Sequence, residues 1–386
     1  MNTLELSCYT SYMVIHLDRI KKNLEAIRRY TGGMDILPVV KSNAYGLGTT
    51  GIASYLVREC HIPMLACADL FEACQIIDAV GPDVQILILS AVPMYSIEET
   101  VRRHIQIPVF TKETARRVSQ AALQYGIKEM PIHLPIETGM NRIGVKPGKD
   151  LEELVTYIRS LGNLTIDGVY THFATAENSN RGKGDDYARL QFSRFRKALE
   201  QLHELNIYPR MVHCCNSGAT LWMKESFPLC THVRVGNLFL GYANECEDWD
   251  PIGLHEVASW KTTVLNLRNI AKGEPVGYDW SFIAPENMKV ATIGIGYGDG
   301  YLRNLAMKEA PVLIHGHRAP FIGICMDQAF IDVTGLSVRL GDEVTVYGED
   351  STGARISELE ITDLLGETGM ALLTHISDRV ARVYVA

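Results

Sequence analysis

The sequence predicts a two-domain α/β protein: an N-terminal (β/α)8 barrel over residues 12–244, followed by a mainly β domain over residues 245–386. Eight short apolar segments alternate with helical patterns in the first part, polar residues follow several of these segments, and the alternation ends near residues 244–251. An open doubly wound sheet is the alternative that the alternation allows. Residues 1–11 are expected to pack with the second domain.

The composition is that of an ordinary soluble globular protein. Its 386 residues are 47% hydrophobic and 21% charged, which provides ample core for two or three domains. A net charge of -8 argues against a nucleic-acid-binding surface. We expect a cytoplasmic protein, since we find neither a membrane-spanning run nor a signal-peptide pattern. The nine cysteines lack paired metal spacing, so they are interpreted as reduced thiols, and no metal is expected.

The first domain begins with a strand-like stretch at 12–15 and a helix with one apolar face. The eight predicted barrel strands are 37–40, 64–68, 84–90, 107–110, 132–136, 166–172, 211–215 and 232–236. Between them, two helices present apolar faces formed by Leu151, Leu154, Val155 and Ile158, and by Leu190, Phe195, Leu199 and Leu202. The predicted strands of the second domain are 256–266, 290–295, 311–314, 321–326, 330–333, 343–348 and 379–385, with little helix between them.

Lys41 is the first candidate for chemistry, because it follows the apolar run 36–40 directly. An ammonium at the edge of an apolar interior is desolvated and becomes a usable amine nucleophile. Such an amine forms a Schiff base with a carbonyl, and pyridoxal 5'-phosphate (PLP) is the common carbonyl cofactor. The ordinary alternative is a lysine that reaches from a strand end to water.

Other polar residues fall at the same ends of the predicted strands, where barrel active sites lie. They are Tyr45, Arg142, His172, Ser217, Arg234, Gly236 and Asn237. Each has an ordinary alternative as a core, capping or ion-paired residue, but their common placement favours one site.

These residues are of the types that can bind the phosphate and the pyridine ring of PLP. The Ser217 hydroxyl and the amides near Gly236 and Asn237 are suited to a phosphate, to which Tyr45 adds a phenol. His172 can stack on the ring or bond to it. Arg234 only donates, so facing a pyridine nitrogen it leaves that nitrogen unprotonated, which weakens the electron sink and favours simple proton exchange.

Eight motifs in order resemble the alanine racemase family of fold-type III PLP enzymes, over essentially the whole chain. They are VVKSNAYGLG (Lys41), TGMNRIG (Arg142), THFATAE (His172), HCCNSGAT (Ser217), VRVG (Arg234), VGYDWSF (Tyr278), GYGDGYLR (Tyr297) and ICMDQ (Met326). The resemblance implies a PLP-dependent racemase of L- and D-alanine that works as a homodimer. In line with the charge and the absence of a membrane-spanning run, neither nucleic acid nor membrane is expected as a partner. The resemblance leaves open whether the product supplies the cell wall or another pathway.

Residue roles follow from the resemblance by position. Lys41 carries the cofactor and exchanges the Cα proton on the D face, and Tyr278 of the partner subunit does so on the L face. Arg142 and the backbone of Met326, also from the partner, bind the substrate carboxylate, while Tyr297 lies at the substrate entrance. A tyrosine carries protons near neutral pH only when cationic neighbours favour its phenolate, and His172 and Arg234 are the candidates.

Three positions depart from the family pattern. Pro135 replaces the lysine that is usually carbamylated and orients the arginine, Met370 replaces a C-terminal tyrosine, and Leu47 replaces a histidine. The cofactor residues are thus intact while substrate-side residues differ. A racemase for another or a broader range of amino acids, such as serine, is therefore the second hypothesis.

Two further functions are weighed against these racemases. A fold-type III decarboxylase pairs the pyridine nitrogen with a carboxylate, which Arg234 does not provide. A non-catalytic PLP-binding protein on the same barrel lacks the second domain that this chain contains.

Overall fold

A computed structural model describes residues 8–176, 185–242, 252–366, 368 and 370–386. The predicted domain boundary at residues 244 and 245 lies outside the described residues, as do residues 1–7. Among the described helices, we find none with the length and apolar character that a bilayer crossing requires.

The first part of the chain alternates strands and helices, as predicted. Its strands are β1 (Ser11–His16), β2 (Asp35–Pro38), β3 (Met64–Cys67), β4 (Gln85–Ile88), β5 (Met130–Pro135), β6 (Leu164–Tyr170), β7 (Met211–His213) and β8 (His232–Val235). Its α-helices are α1 (Leu17–Tyr30), α2 (Thr49–Arg58), α3 (Leu70–Val80), α4 (Ile97–Arg102), α5 (Lys112–Gln124), α6 (Lys149–Leu161), α7 (Asp185–Glu204) and α8 (Ser217–Trp222).

Strands β2 to β8 run parallel to their neighbours. β2 pairs with β8, β3 with β4, β5 with β6, and β6 with β7. A single bridge between Val39 and Ala66 joins the end of β2 to β3. Between β7 and β8, Thr231 N donates to Val212 O at 2.9 Å. The carboxyl ends of these strands therefore face the same direction.

The predicted fourth strand, 107–110, was wrong as a regular strand. Two single bridges replace it, one from Gln106 to Leu87 in β4 and one from Pro108 to His133 in β5. Pro108 has no N–H to donate, which limits the ladder at this position. The segment still lies between its expected neighbours, since Val109 N donates to His133 O at 2.8 Å.

Side-chain caps explain where two of the helices begin, and buried apolar faces explain how the helices pack. The Asp69 side chain accepts from Glu72 N at 2.9 Å and begins α3, while Thr111 does the same for α5. The predicted apolar face of α6 is buried throughout. The face predicted for α7 is confirmed except at Leu190, which is 43% exposed because it lies on the outward side of that helix.

The second part is mainly β, as predicted. Its strands are β9 (Ala258–Ile270), β10 (Pro275–Val276), β11 (Phe282–Ile283), β12 (Met288–Ile293), β13 (Pro311–Ile314), β14 (His317–Ile324), β15 (Ala329–Asp332), β16 (Glu343–Glu349), β17 (Arg355–Ile356) and β18 (Ala381–Val385). Its helices are short: α9 (Arg303–Met307), α10 (Glu358–Leu365) and α11 (Met370–His375).

Six of these strands form a closed sheet in the order β9, β16, β13, β14, β15 and β12, since β16 also pairs with β9. Strand β1 extends this sheet, with Tyr12 opposite Lys261 in β9 and opposite Ala381 in β18. The sequence pattern placed the strand at 12–15 at the start of the first domain, whereas in the structure this strand pairs with β9 and β18. Alternate residues of β1 are buried, so one face of this strand contributes to the core.

The described core is largely one continuous cluster that spans both parts of the chain. A separate small cluster lies among the parallel strands, formed by Leu37, Val39, Met64, Ala66, Leu87 and Met211. Because side chains alternate along a strand, these residues face away from the helices. The space beyond them, toward the carboxyl ends, holds the polar residues described next.

Candidate active site

Lys41 begins an unusual turn at the end of β2. The four residues Ser42 to Tyr45 all have positive φ, between 49° and 56°. Left-handed backbone costs an L-residue about 1–2 kcal/mol, so four in succession require support from elsewhere. The Glu72 carboxylate supplies part of it by accepting from the backbone N–H groups of Ser42 and Ala68.

The second part of the chain supplies the rest of that support. The Arg382 guanidinium donates to Gly46 O at 2.9 Å, and the Tyr384 hydroxyl donates to Leu47 O at 3.0 Å. Gly46 has φ +86° and lies so close to α11 that a Cβ would overlap the carbonyl oxygen of Leu373. Strand β18 and helix α11 therefore help to position Lys41.

A cavity of about 200 Å³ lies at the carboxyl ends of the parallel strands. Its lining includes every site residue that was predicted in the first domain: Lys41, Tyr45, Arg142, His172, Ser217, Arg234, Gly236 and Asn237. Residues from β2, β6 and β8 meet here because their carboxyl ends share one edge. The sequence pattern thus predicted which polar residues would come together.

Lys41 is exposed in this cavity, which differs from the expected desolvated lysine. The mouth of the cavity is open among the described residues of one chain, so solvent reaches the side chain. Its ammonium lies 5.9 Å from the centre of the Tyr45 ring. The two side chains are neighbours because the left-handed turn brings Tyr45 back over the end of β2.

One wall of the cavity is formed by Ser217, Gly236 and Tyr45. Gly236 N donates to Ser217 Oγ at 3.2 Å, which joins the residues that follow β7 and β8. A Cβ on Gly236 would overlap the Tyr45 phenol, so only glycine permits this approach. The hydroxyls of Ser217 and Tyr45 and the amide of Gly236 therefore lie close together at this wall of the cavity.

Arg234 forms the opposite, deeper wall and is 4% exposed. Its Nη2 donates to His172 Nδ1 at 2.9 Å and to Thr171 O at 3.1 Å, while Nη1 donates to His213 Nδ1 at 2.9 Å. Its guanidinium also lies over the Tyr170 ring. A donor-only cation is thus held rigidly on the cavity floor.

The histidine network continues from Arg234 through the interior. Because Arg234 only donates, His213 Nδ1 accepts and its Nε2–H donates to His133 Nδ1 at 3.0 Å. His133 Nε2–H in turn donates to Gln106 Oε1 at 2.9 Å. Each bond fixes the tautomer of the next ring, so one arginine sets the orientation of the series.

Burial keeps these histidines neutral. Desolvation lowers the pKa of His133 to about 3 and, together with the nearby Arg234 charge, lowers the pKa values of His213 and His172 well below the ordinary value. His172 is therefore not the cationic neighbour that the sequence suggested for a catalytic tyrosine. Its Nδ1 accepts from Arg234, so its proton is on Nε2.

Arg142 is exposed and lines the cavity from the segment after β5. A second, smaller recess contacts both Arg142 and Pro135, together with His172. Pro135 and Arg142 thus line the same recess, and the pyrrolidine ring provides neither charge nor a donor there. The departure at this position therefore changes the chemistry of a recess that Arg142 shares.

The three site residues from the second domain do not line this cavity. Tyr278 is 72% exposed in a turn that links β10 to β11. Tyr297 and Met326 lie together, since Tyr297 N donates to Cys325 O at 3.1 Å and Gly298 N donates to Met326 O at 2.7 Å. Within one chain, the predicted site is therefore divided between the cavity and an exposed surface.

Two of the departures from the family pattern are buried. Met370 begins α11 and is 6% exposed, and Leu47 is inaccessible to solvent. Neither residue lines the cavity. Met370 thus lies in the helix that packs on the Lys41 turn.

Sequence reasoning did not single out Gln106, His133, His213 or Tyr170. Two of them gave a usable signal, because a histidine within a short, otherwise apolar strand must have buried partners. The supporting roles of Arg382 and Tyr384 had no such signal, since more than 330 residues separate them from the turn that they contact.

The fold and the site define a protein with a lysine-bearing cavity on parallel strands and a second β unit that supports it. Two family models match this chain: the alanine racemase N-terminal domain over residues 15–244 and the alanine racemase C-terminal domain over residues 257–384. The chain belongs to the alanine racemase family.

Individual relatives match along nearly the whole length. The alanine racemase of Methanococcus maripaludis is 36% identical over 375 residues, which are 96% of this chain and 97% of that one. The alanine racemase of Clostridium tetani is 34% identical over 374 residues, which are 96% of this chain and 94% of that one.

Solved structures of alanine racemases are also similar to this chain over nearly its whole length. Alanine racemase from Bacillus anthracis with bound L-Ala-P has a TM-score of 0.88 and 30% identity, over 98% of this chain and 95% of that one. Alanine racemase from Bartonella henselae with covalently bound pyridoxal phosphate has a TM-score of 0.83 and 26% identity, over 97% of this chain and 99% of that one.

Proposed function

We propose that this chain is a PLP-dependent racemase that interconverts L- and D-alanine. The observation that carries the proposal is the single cavity lined by Lys41, Arg234, Ser217 and the other residues at the strand ends. Membership of the alanine racemase family, with relatives matched over 96% of the chain, agrees with this chemistry.

The cavity residues fit PLP. Ser217, Tyr45, Gly236 and Asn237 would hold its phosphate, and the close approach of the Tyr45 phenol to Gly236 provides a compact group of donors for it. Lys41 would hold the cofactor covalently, and Arg234 with His172 would contact its ring. When bound, PLP supplies an electron sink that makes the Cα–H of an amino acid acidic.

Two proton carriers on opposite faces of Cα are needed to invert its configuration. Lys41 Nζ takes and returns the proton on the D face, and the phenol of Tyr278 of the partner subunit does so on the L face. Arg142 and the Met326 backbone of the partner subunit hold the substrate carboxylate between them. Tyr297 narrows the entrance.

Arg234 limits the reaction to proton exchange. Both of its terminal nitrogens donate to fixed partners, so it brings a permanent cation to the cavity floor without an exchangeable proton of suitable acidity. His172 has its proton on Nε2, so it can donate a hydrogen bond to the phenolate of Tyr278 of the partner subunit. Arg234 then supplies the positive charge that favours this phenolate.

A head-to-tail homodimer completes the site in this proposal. Tyr278 and Trp280 are each 72% exposed, and Met326 is 57% exposed, although these are residues that normally leave water. Their exposure is explained if a second copy covers them, which would also close the open mouth above Lys41.

The domain organisation of the proposal is a (β/α)8 barrel up to residue 244 and a β domain from residue 245. Support for the barrel comes from the parallel pairing of β2 with β8 and from the bridges that connect β4, residues 106–108 and β5. We assign β1 to the β domain because it pairs with β9.

A racemase with a broader substrate range, including serine, is the second candidate. The neutral Pro135 beside Arg142 favours it, because the usual charged partner of that arginine is replaced. A decarboxylase is less suitable, since Arg234 rather than a carboxylate lies on the cavity floor. A non-catalytic carrier would leave the second β unit unexplained.

A chiral assay tests the proposal. PLP-loaded protein is incubated with each L-amino acid separately, and the D-enantiomer is quantified over time. We expect alanine to racemise fastest. Faster conversion of serine would support the broader racemase, and absence of racemisation with any amino acid by PLP-loaded protein would contradict both.

A further inference from the structure

Three thiols meet between the end of β7 and the segment that precedes β8. Cys214 and Cys215 follow β7 and are inaccessible to solvent, while Cys230, which precedes β8, is half-buried. The sulfur of Cys214 lies 3.2 Å from that of Cys230 and 4.0 Å from that of Cys215, and the Cys215 and Cys230 sulfurs are 3.9 Å apart. The three sulfurs form a triangle with two nearly equal sides and one shorter side.

We propose that Cys214, Cys215 and Cys230 form a binding site for one Cu⁺ ion. A point equidistant from three sulfurs with these separations lies about 2.2 Å from each, close to the ~2.3 Å of metal–thiolate bonds. The ion would therefore fit in the triangle without displacement of the backbone. This proposal is independent of the reaction at the cavity.

The ligand set selects Cu⁺ over the commoner zinc. Structural zinc takes four ligands, whereas this cluster of metal-ligating side chains in the described residues contains only three. The nearby Ser226 hydroxyl lies 3.0 Å from the Cys215 sulfur but donates to Met223 O at 2.6 Å. Thiolates are soft ligands, and Cu⁺ is the soft ion that accepts three of them in a plane.

The surroundings can accommodate the charge. Binding converts three thiols and Cu⁺ into a complex with a net charge of 2−, and three protons leave to solvent with no change of oxidation state. The Arg234 guanidinium, buried on the adjacent strand, offsets part of this charge, and Arg234 N donates to Cys215 O at 2.8 Å.

Cys230 is partly exposed as a residue, whereas Cys214 and Cys215 are buried. Once bound, the ion would tie the end of β7 to the start of β8. Asn216 and Ser217 follow these cysteines directly, so occupancy would stiffen the wall of the cavity.

The experiment is an anaerobic titration of the full-length, PLP-loaded chain with Cu⁺, with bicinchoninate as the competing chelator. The variants are Cys230→Ser and Cys214→Ser, and the control is Cys74→Ser, a partly exposed thiol on α3 outside the cluster. Thermal unfolding of each variant without metal verifies that it folds.

We expect one Cu⁺ per chain to resist the chelator, with three sulfur neighbours at about 2.2–2.3 Å in X-ray absorption. Either cluster variant should lower the affinity at least about 100-fold, as loss of one of three metal–thiolate bonds would, and Cys74→Ser should not change it. Equal binding by Cys230→Ser and the unchanged chain would overturn the proposal. So would two sulfur neighbours only, or formation of a Cys214–Cys230 disulfide in place of metal uptake.

Discussion

Arg234 and the histidines that it orients show how single residues determine the electrostatics of the cavity. A lysine in place of Arg234 would keep the charge but lose the planar group that donates to His213 and His172 at 2.9 Å on two sides. The rings would then lose their fixed tautomers. The effect should therefore appear in both stability and catalysis.

For Arg234→Lys we expect a loss of about 3–5 kcal/mol in the free energy of unfolding, because partners of a buried charged network are left unsatisfied. Racemisation should fall at least about 100-fold in kcat. Urea unfolding and the chiral assay measure the two effects. Arg210→Lys is the matched control: Arg210 binds Asp167 at the surface, and its replacement should cost less than about 1 kcal/mol. Equal losses from both variants would contradict the network.

The neutral histidines predict a pH dependence of stability. The pKa of His133 is lowered to about 3 in the folded chain, whereas an unfolded histidine titrates near 6.5. The contribution of His133 is therefore complete above about pH 6.5 and is lost as the pH falls from there toward 3, because the unfolded chain binds the proton first. One such histidine gives a slope of about 1.4 kcal/mol per pH unit.

His133→Gln should lower that slope by up to about 1.4 kcal/mol per pH unit, most fully at the acidic end of the range, because the amide keeps hydrogen-bonding capacity but does not titrate. Urea unfolding at about pH 7, 6 and 5 measures the slope. His203→Gln, at an exposed position on α7, serves as the control and should leave the slope nearly unchanged. If His133→Gln retains the slope of the unchanged chain, this histidine is not held neutral in the fold.

Among the structural elements, the left-handed turn after β2 is the one that needs its neighbours most. Four residues with positive φ are held there by Glu72 from α3 and by Arg382 and Tyr384 from β18. Such backbone persists only when its surroundings impose it. Contacts at Gly46 should therefore matter for the position of Lys41.

Gly46→Ala tests this coupling, because the added Cβ would overlap Leu373 O in α11. We expect a loss of more than about 2 kcal/mol in the free energy of unfolding and weaker PLP retention, measured by urea unfolding and cofactor absorbance. Gly162→Ala has a similar positive φ with open space around it, so backbone strain alone should cost about 1 kcal/mol. PLP affinity equal in the two variants would exclude the proposed coupling.

In the whole molecule, the proposed site is divided between two copies of the chain. Lys41 lies in the cavity, whereas Tyr278 is exposed on the second β unit. A mixture of two inactive variants can distinguish sites shared between subunits from sites within one chain. Lys41→Ala and Tyr278→Phe are the suitable pair, because each removes one of the two proposed proton carriers.

A heterodimer of Lys41→Ala with Tyr278→Phe should recover activity at one of its two sites, which combines the intact lysine of one chain with the intact tyrosine of the other. Co-purification with two affinity tags isolates this species for the chiral assay. Homodimers of either variant, assayed at the same concentration, are the controls. Absence of recovery in an isolated, PLP-loaded heterodimer would contradict the shared site.

Much of the fold and of the cavity was predictable because local patterns determine them. Apolar segments of four to seven residues specify buried parallel strands, and residues such as Ser217 and Arg234 lie together once the strands align. The irregular fourth strand was not predictable in detail. A proline in an apolar run removes one N–H donor, but whether that donor is needed for pairing depends on the neighbouring strands, which the sequence does not show. Leu190 was misjudged because helical periodicity does not reveal where a face ends.

Local sequence patterns were enough to predict the succession of elements, the polar residues at the strand ends and the family. Three features became visible only in the folded chain: β1 joins the second sheet, Arg382 and Tyr384 support the Lys41 turn, and Arg234 orients three histidines. The folded chain also shows that Cys230 meets Cys214 and Cys215. These contacts depend on which distant segments come together in the fold. Local patterns along the chain do not show which segments far apart in sequence are close in space.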